Sequence, residues 1–284
     1  MTSFTAACIQ LRSGKTISDN ADAAESLIRA AAKDGAQFVQ TPEMSNVLVR
    51  SREELLERIS DAEDDLFLKR ARALAAELGI YLHLGSLAVL AGNGKVANRA
   101  FLIGPDGKIL ATYDKIHMFD VDLPNGESWR ESATYEPGTQ TVIADLPFAK
   151  VGMAVCYDIR FPAIFRTQAR QGAQVLTGPA AFTRQTGQAH WHVLQRSRAI
   201  ENGAYVISAA QGGTHEDGRE TYGHSLIVDP WGAVIAEIDN DDPGYVLAEI
   251  DTQKVADARA RIPAIANERD FVCCHADGLK EISA

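Results

Sequence analysis

Short apolar runs alternate with amphipathic stretches along almost the whole chain. Residues 4–9 read as a strand, and residues 18–33 read as a helix with Ser18 or Asp19 able to accept from free amides at its start and Gly35 just past its end. A strand at 37–40 follows. From 65 to 78 the apolar residues Leu66, Leu68, Ala71, Leu74, Ala75 and Leu78 keep helical spacing, and Gly79 supplies a left-handed stop. Strands are predicted at 80–84, 86–90, 96–103, 108–113, 150–155 and 174–177, then at 204–209, 224–228, 233–238 and 245–250. Helices are predicted after Pro162, ending at Gly172, and at 190–201.

Strands alternating with helices are the mark of an α/β fold. Two segments resemble each other, Phe101-Leu-Ile-Gly-Pro-Asp-Gly-Lys-Ile109 and Ile227-Val-Asp-Pro-Trp-Gly-Ala-Val-Ile235, each a strand, a turn with Pro and Gly, and a strand. They imply two similar halves, each a mixed sheet with helices on one face. Packed sheet against sheet, these halves make a four-layer α-β-β-α sandwich. No Ser-, Pro- or Gly-rich linker divides the chain, so one domain is expected over 1–284, with 271–284 a tail.

Hydrophobic residues make up 46% of the 284 and charged ones 23%, enough for a sizeable core and unlike a disordered chain. A net charge of -10 argues against nucleic acid as a partner, because neutralising phosphates needs a basic face. The first residues lack the features of a signal peptide, and no run approaches the ~20 apolar residues of a membrane span. A cytoplasmic protein is expected, with no membrane partner. Cys8, Cys156, Cys273 and Cys274 are too few and scattered for a disulfide framework, and none has zinc-ligand spacing, so one of them could be a nucleophile.

Cys156 sits where the apolar run Lys150-Val-Gly-Met-Ala-Val155 ends and a helix is about to begin, where free amides can stabilise a thiolate or oxyanion. A buried core cysteine would look the same. Glu43, after the run Phe38-Val-Gln-Thr-Pro42, is suited to proton transfer if partly desolvated, and otherwise is a solvated loop residue. Lys115 could be a fixed positive charge for an oxyanion, or a surface lysine.

Taken together, Thr41-Pro42-Glu43, Tyr113-Asp114-Lys115-Ile116-His117 and Val155-Cys156-Tyr157-Asp158-Ile159-Arg160-Phe161-Pro162 resemble the Glu-Lys-Cys triad of the nitrilase superfamily, over nearly the whole chain. His117-Met-Phe-Asp-Val-Asp-Leu-Pro124 with Glu131-Ser132, Gly187-Gln-Ala-His-Trp191, Gln195-Arg-Ser-Arg-Ala-Ile-Glu201 and Tyr222-Gly-His-Ser225 with Asp229-Pro-Trp-Gly232 are similar to the branch that contains deaminated glutathione amidase and omega-amidase. Nitrilases usually carry Trp-Glu after the nucleophile. Tyr157-Asp158 stands here instead, which favours an amide substrate.

The resemblance implies acyl transfer through a Cys156 thioester. Glu43 acts as general base and acid, and Lys115 and the Tyr157 backbone amide hold the oxyanion. Glu131 maps onto a second glutamate that orients Lys115 and the substrate amide. No metal and no organic cofactor is implied, and the partners expected are a small-molecule amide and further copies of the chain, as a homodimer or homotetramer. The helices at 162–171 and 190–201 are candidates for that interface. The expected substrate is a small carboxylate-bearing amide, most of all an α-keto amide. In an acidic protein such an anion needs a local cation besides Lys115, and Arg184 in Ala181-Phe-Thr-Arg-Gln-Thr-Gly187 is the candidate. An N-carbamoyl amino acid hydrolase is the rival activity. A catalytically silent scaffold is disfavoured because all three triad residues are present. His83, His190, His192, His215 and His224 read as hydrogen-bonded structure, Arg196, Arg198 and Glu201 as bracing a helix or a subunit contact, and Trp191 and Trp231 as packing residues. Cys273 and Cys274 receive no role.

Overall fold

In the computed structural model, which describes residues 3–92, 94–123, 126 and 128–273, two mixed sheets stack face to face. Pro124 and Cys274 lie outside the described residues. One sheet runs Gly244–Asp251, Ser3–Gln10, Phe38–Gln40, Tyr81–Leu90, Val96–Ile103, Ile109–Asp114, with Tyr135–Glu136 also paired to Val96–Ile103. The other runs Val142–Asp145, Lys150–Met153, Val175–Thr177, Tyr205–Ser208, Leu226–Val228, Val234–Glu237. In each, three neighbouring parallel strands are flanked by antiparallel ones, and the two orders correspond strand for strand. The hairpins Val96–Ile103/Ile109–Asp114 and Leu226–Val228/Val234–Glu237 occupy equivalent places, as the internal resemblance required.

Alternation along the strands builds the layers. Phe4, Ala6 and Cys8 point into the core shared with the second sheet, where they meet Met153, Val206 and Leu226. Ala7 and Ile9 point the other way, into a cluster with Ile28 of helix Ile17–Lys33 and Phe67 and Leu74 of helix Leu66–Leu78. Helices Pro162–Arg170 and Arg184–Asn202 cover the second sheet through Phe165, Trp191 and Ala199. The result is the α-β-β-α sandwich. Polar ties also cross between sheets: Gln40 Oε1 accepts from Ala209 N at 2.7 Å and Gln10 Oε1 from Ser225 N at 2.9 Å.

Several local expectations change. The first helix begins at Ile17 after Thr16, with no side-chain cap, so neither Ser18 nor Asp19 fills that role. Asp65 caps helix Leu66–Leu78, accepting from Leu68 N at 2.7 Å, and Gly79 at φ 66° ends it. The strands expected at 80–84 and 86–90 are one strand with a register shift between Leu84 and Leu87. The helix expected at 190–201 begins six residues earlier, at Arg184, because Thr183 starts it and Gly187 packs closely against Tyr222. Trp231 is 57% exposed at a hairpin tip, so it is not a packing residue, whereas Trp191 is buried. Among the described residues no helix is long and apolar enough to cross a membrane.

Candidate active site

Three loops leaving the two sheets meet at one cavity. Glu43 follows strand Phe38–Gln40, Lys115 follows Ile109–Asp114, and Cys156 follows Lys150–Met153. The Glu43 loop is fixed by the irregular stretch around Gly85: Ser86 N donates to Pro42 O at 3.2 Å, Ser86 Oγ accepts from Met44 N at 3.0 Å, and Ser45 N donates to Ser86 O at 3.0 Å. Lys115 N donates to Asn98 O at 3.0 Å. Cys156 N donates to Pro179 O at 2.8 Å, after the neighbouring parallel strand. Cys156 and Met44 adopt left-handed φ values of 50° and 54°, a conformation that costs a non-glycine residue about 1–3 kcal/mol and so marks positions held by their surroundings.

Lys115 Nζ, almost fully buried, donates to Glu43 Oε1 at 3.0 Å and to Glu131 Oε1 and Oε2 at 2.9 and 2.8 Å. Asn98 Nδ2 bridges the same carboxylates, at 2.9 Å to Glu43 and 3.1 Å to Glu131. Ala181 N donates to Glu43 Oε2 at 2.8 Å and Phe119 N to Glu131 Oε2 at 2.6 Å. The Cys156 thiol faces the same cavity as Glu43, close enough for the carboxylate to act on it. These groups line a cavity of about 320 Å³ together with Tyr157. That is room for a small molecule.

Burial opposes ionisation of Glu43, but the Lys115 ammonium and the hydrogen bonds from Asn98 and Lys115 outweigh it and hold the carboxyl below the usual range. Burial likewise opposes the Lys115 charge, yet Glu131 and Glu43 keep its pKa well above that of an ordinary lysine. For Cys156, burial and then the Glu43 carboxylate push the thiol well up, and Lys115 offsets only part of this. The resting trio is therefore carboxylate, ammonium and neutral thiol.

Asp158 joins the nucleophile loop to the lysine loop. Its Oδ2 accepts from Tyr113 OH at 2.6 Å and Val155 N at 2.9 Å; its Oδ1 accepts from His117 N at 3.1 Å and lies 2.7 Å from His117 Nδ1. Arg198 braces the same loop, donating from Nε to Ile159 O at 2.9 Å and pairing with Glu201 at 2.7 Å. Glu43, Lys115, Glu131, Cys156 and Tyr157 thus come together. Arg184 does not join them: it is absent from the cavity wall, and its guanidinium is engaged by Asp241 at 2.5 Å and Glu220 at 3.7 Å. The arginines that line the cavity are Arg50, Arg130 and Arg219. Asn98 went unnoticed in the sequence, although a polar residue inside the strand Val96–Ile103 was a visible signal. Among the described residues no cluster of three or more His, Cys, Asp or Glu could hold a metal ion.

Facing mixed sheets whose loops gather Glu, Lys and Cys around one cavity define a hydrolase of the nitrilase superfamily. The chain belongs to the carbon-nitrogen hydrolase family, whose sequence model matches residues 5–260. It is 38% identical to a deaminated glutathione amidase of Synechocystis over 96% of this chain and 100% of that one. Identity is also 38% to the human omega-amidase NIT2, over 95% of this chain and 96% of the relative. Among solved structures, Nit3 of Saccharomyces cerevisiae, a member of branch 10 of the superfamily, superimposes with a TM-score of 0.83 at 28% identity, covering 92% of this chain and 95% of the other.

Proposed function

We propose that the protein is a thiol amidase that hydrolyses a small carboxylate-bearing amide, most of all an α-keto acid amide, to the acid and ammonia, a reading that its deaminated glutathione amidase and omega-amidase relatives support. The observation that carries this reading is the shared cavity in which the Cys156 thiol meets Glu43 while Lys115 Nζ sits 3.0 Å from the same carboxylate.

The chemistry follows from the resting charges. A neutral thiol is a poor nucleophile, so Glu43 takes its proton as sulfur attacks the amide carbonyl. Lys115 and the Tyr157 amide, in the opening turn of the 3-10 helix Cys156–Arg160, hold the oxyanion as the carbonyl π bond opens. Glu43 then gives its proton to the departing nitrogen, and ammonia leaves as the carbonyl re-forms in a thioester. Water adds to that thioester with Glu43 as base, the C–S bond breaks, and the thiol regains its proton. Glu131 keeps Lys115 aimed at the reacting carbonyl.

Ile200, 52% exposed on helix Arg184–Asn202, lies beside Gly232 of the exposed Trp231 hairpin, and with Val193, 64% exposed on the same helix, supports association of two copies through this helix. Light scattering should find a dimer or tetramer at micromolar concentration. The free thiols of Cys8 and Cys156 support a cytoplasmic setting, and the core shared by the two sheets supports one domain carrying the whole site. The activity is tested by ammonia release from deaminated glutathione, α-ketoglutaramate, glutamine, asparagine and simple nitriles. Release from the first two supports the reading. Ammonia with stoichiometric carbon dioxide from an N-carbamoyl amino acid, and none from the amides, would replace it with the rival activity.

A further inference from the structure

Cations in the cavity wall divide by how fully the protein already satisfies them. Arg130 is engaged by both oxygens of Asp122 at 2.9 Å and by the carbonyls of Val121 and Trp129 at 3.0 and 2.7 Å. Arg219 is not so engaged. It sits between the short strands Gly212–Thr214 and Glu220–Tyr222, with its side chain 15% exposed. Its Nη2 is 3.2 Å from Asp217 Oδ2 and 3.5 Å from Val49 O, while its buried Nε has no acceptor among the described residues.

The surroundings of Arg219 point the same way. Its guanidinium carbon stands 4.7 Å from the centre of the Trp129 ring, and that of Arg50 stands 4.9 Å from the same ring. The buried Trp129 Nε1 also has no acceptor among the described residues. Tyr135, on the same wall, reaches only the Met44 sulfur, at 3.8 Å. A cluster of buried donors and two guanidinium groups on one indole attracts an anion, because an unpaired buried donor is costly until an acceptor meets it. Burial outweighs the Asp217 carboxylate and, with the Arg50 charge, holds the Arg219 pKa below its ordinary value, so a further carboxylate would favour the cation. Arg219 makes no hydrogen bond to Glu43, Lys115 or Glu131, so an anion there does not compete with the reacting groups.

We infer that Arg219, against Trp129, is the specificity-determining residue of this cavity and receives the substrate carboxylate at the end remote from the scissile amide. This rests on the amidase reading above and names its substrate class: small amides with a carboxylate at the far end of the chain. A guanidinium can hold that carboxylate through two parallel hydrogen bonds.

The test compares glutaramate with 5-methylhexanamide, which replaces the carboxylate by an apolar group of the same shape. Ammonia release gives kcat/KM for each, and the readout is their ratio. Wild type should favour glutaramate, and Arg219→Gln should cut the ratio about 10- to 100-fold, chiefly through KM, as expected for loss of one charged hydrogen-bonded contact. Arg219→Lys, which keeps the charge, should fall between. Arg184→Gln should keep the wild-type ratio. Equal loss on both amides in Arg219→Gln would mark a structural role and overturn the inference, as would a ratio that collapses in Arg184→Gln instead. If Arg219→Gln does not fold, competitive inhibition of the wild type decides: glutarate should bind at least about 10-fold tighter than 5-methylhexanoate of like chain, and equal binding would overturn the inference. Release from 5-methylhexanamide that is abolished by Cys156→Ala secures the amidase reading independently. Release from neither amide would sink that reading and the inference with it.

Discussion

Gly85 packs between the Thr41-Pro42 segment that leads to Glu43 and Pro179, whose carbonyl holds Cys156 N, and Gly85→Ala tests whether that approach sets the catalytic geometry. A methyl carbon on Gly85 would lie 2.5 Å from Pro179 Cβ and 2.7 Å from the Pro42 carbonyl carbon, and nearer still to Thr41 O. Carbon atoms in contact sit about 3.5–4.0 Å apart, so these neighbours must retreat by roughly 1 Å. The Pro42 atom is backbone and Pro179 Cβ lies in a ring closed onto its own backbone, and both residues hold the site. Pro179 O accepts from Cys156 N, and Pro42 precedes Glu43. Overpacking of this kind costs about 1–3 kcal/mol, which at about 2–4 °C per kcal/mol for a chain of this size lowers Tm by about 2–12 °C. The larger effect falls on chemistry, since a displacement of about 1 Å at reacting groups can cost about 100-fold in kcat. Calorimetric Tm and steady-state ammonia release measure the two together. A variant with wild-type Tm and wild-type kcat would refute the claim that this contact positions the base.

Asp158→Ala removes the acceptor shared by Tyr113, Val155 and His117, and should cost about 3–5 kcal/mol in urea unfolding while lowering kcat; a loss below about 1 kcal/mol would contradict the role of Asp158 in tying the loops together. Because Cys156 rests as a thiol, the difference in thiolate ultraviolet absorbance between wild type and Cys156→Ser at neutral pH should be nil, and a full thiolate's worth of absorbance would contradict the resting charges. Glu43 lies below its ordinary 4.5 in the fold, so its stabilising contribution is complete above that pH and is lost as pH falls through its lower folded value. Lys115 lies above its ordinary 10.5, so its contribution is complete below that pH and is lost as pH rises through its higher folded value. Tm against pH should therefore fall less steeply on the acid side in Glu43→Gln than in wild type, and an identical acid fall would remove Glu43 from the account. Arg184→Ala breaks a half-exposed pair with Asp241, and should cost at most about 1 kcal/mol while leaving KM unchanged; a raised KM confined to carboxylate-bearing amides would return Arg184 to the site.

Much of this was legible from local pattern. Apolar runs such as Val96–Ile103 and Tyr205–Ser208 are buried on both faces, and their β-branched and aromatic residues left little choice of element. The twin hairpins disclosed the two halves because turn chemistry with Pro and Gly is local. The Glu43, Lys115 and Cys156 motifs each lie directly after a strand, so the fold delivers them to one place. What the sequence concealed depends on partners far along the chain. Arg184 is claimed by Asp241, and no spacing announces a pairing of that kind. Arg219 lies in His215-Glu-Asp-Gly-Arg-Glu220, which reads as a solvated turn until Trp129 closes over it. Asp158 was visible beside the nucleophile, but its role depends on Tyr113 and His117 arriving from the lysine loop.

The central claim is that turnover passes through a thioester on Cys156. Intact-mass measurement of wild-type enzyme, quenched in acid during turnover of α-ketoglutaramate, tests it most directly. The account predicts a species heavier by the substrate less ammonia, with the added mass on the peptide containing Cys156 and no such species in Cys156→Ala. Substantial ammonia release by Cys156→Ala, with no adduct in either protein, would contradict it.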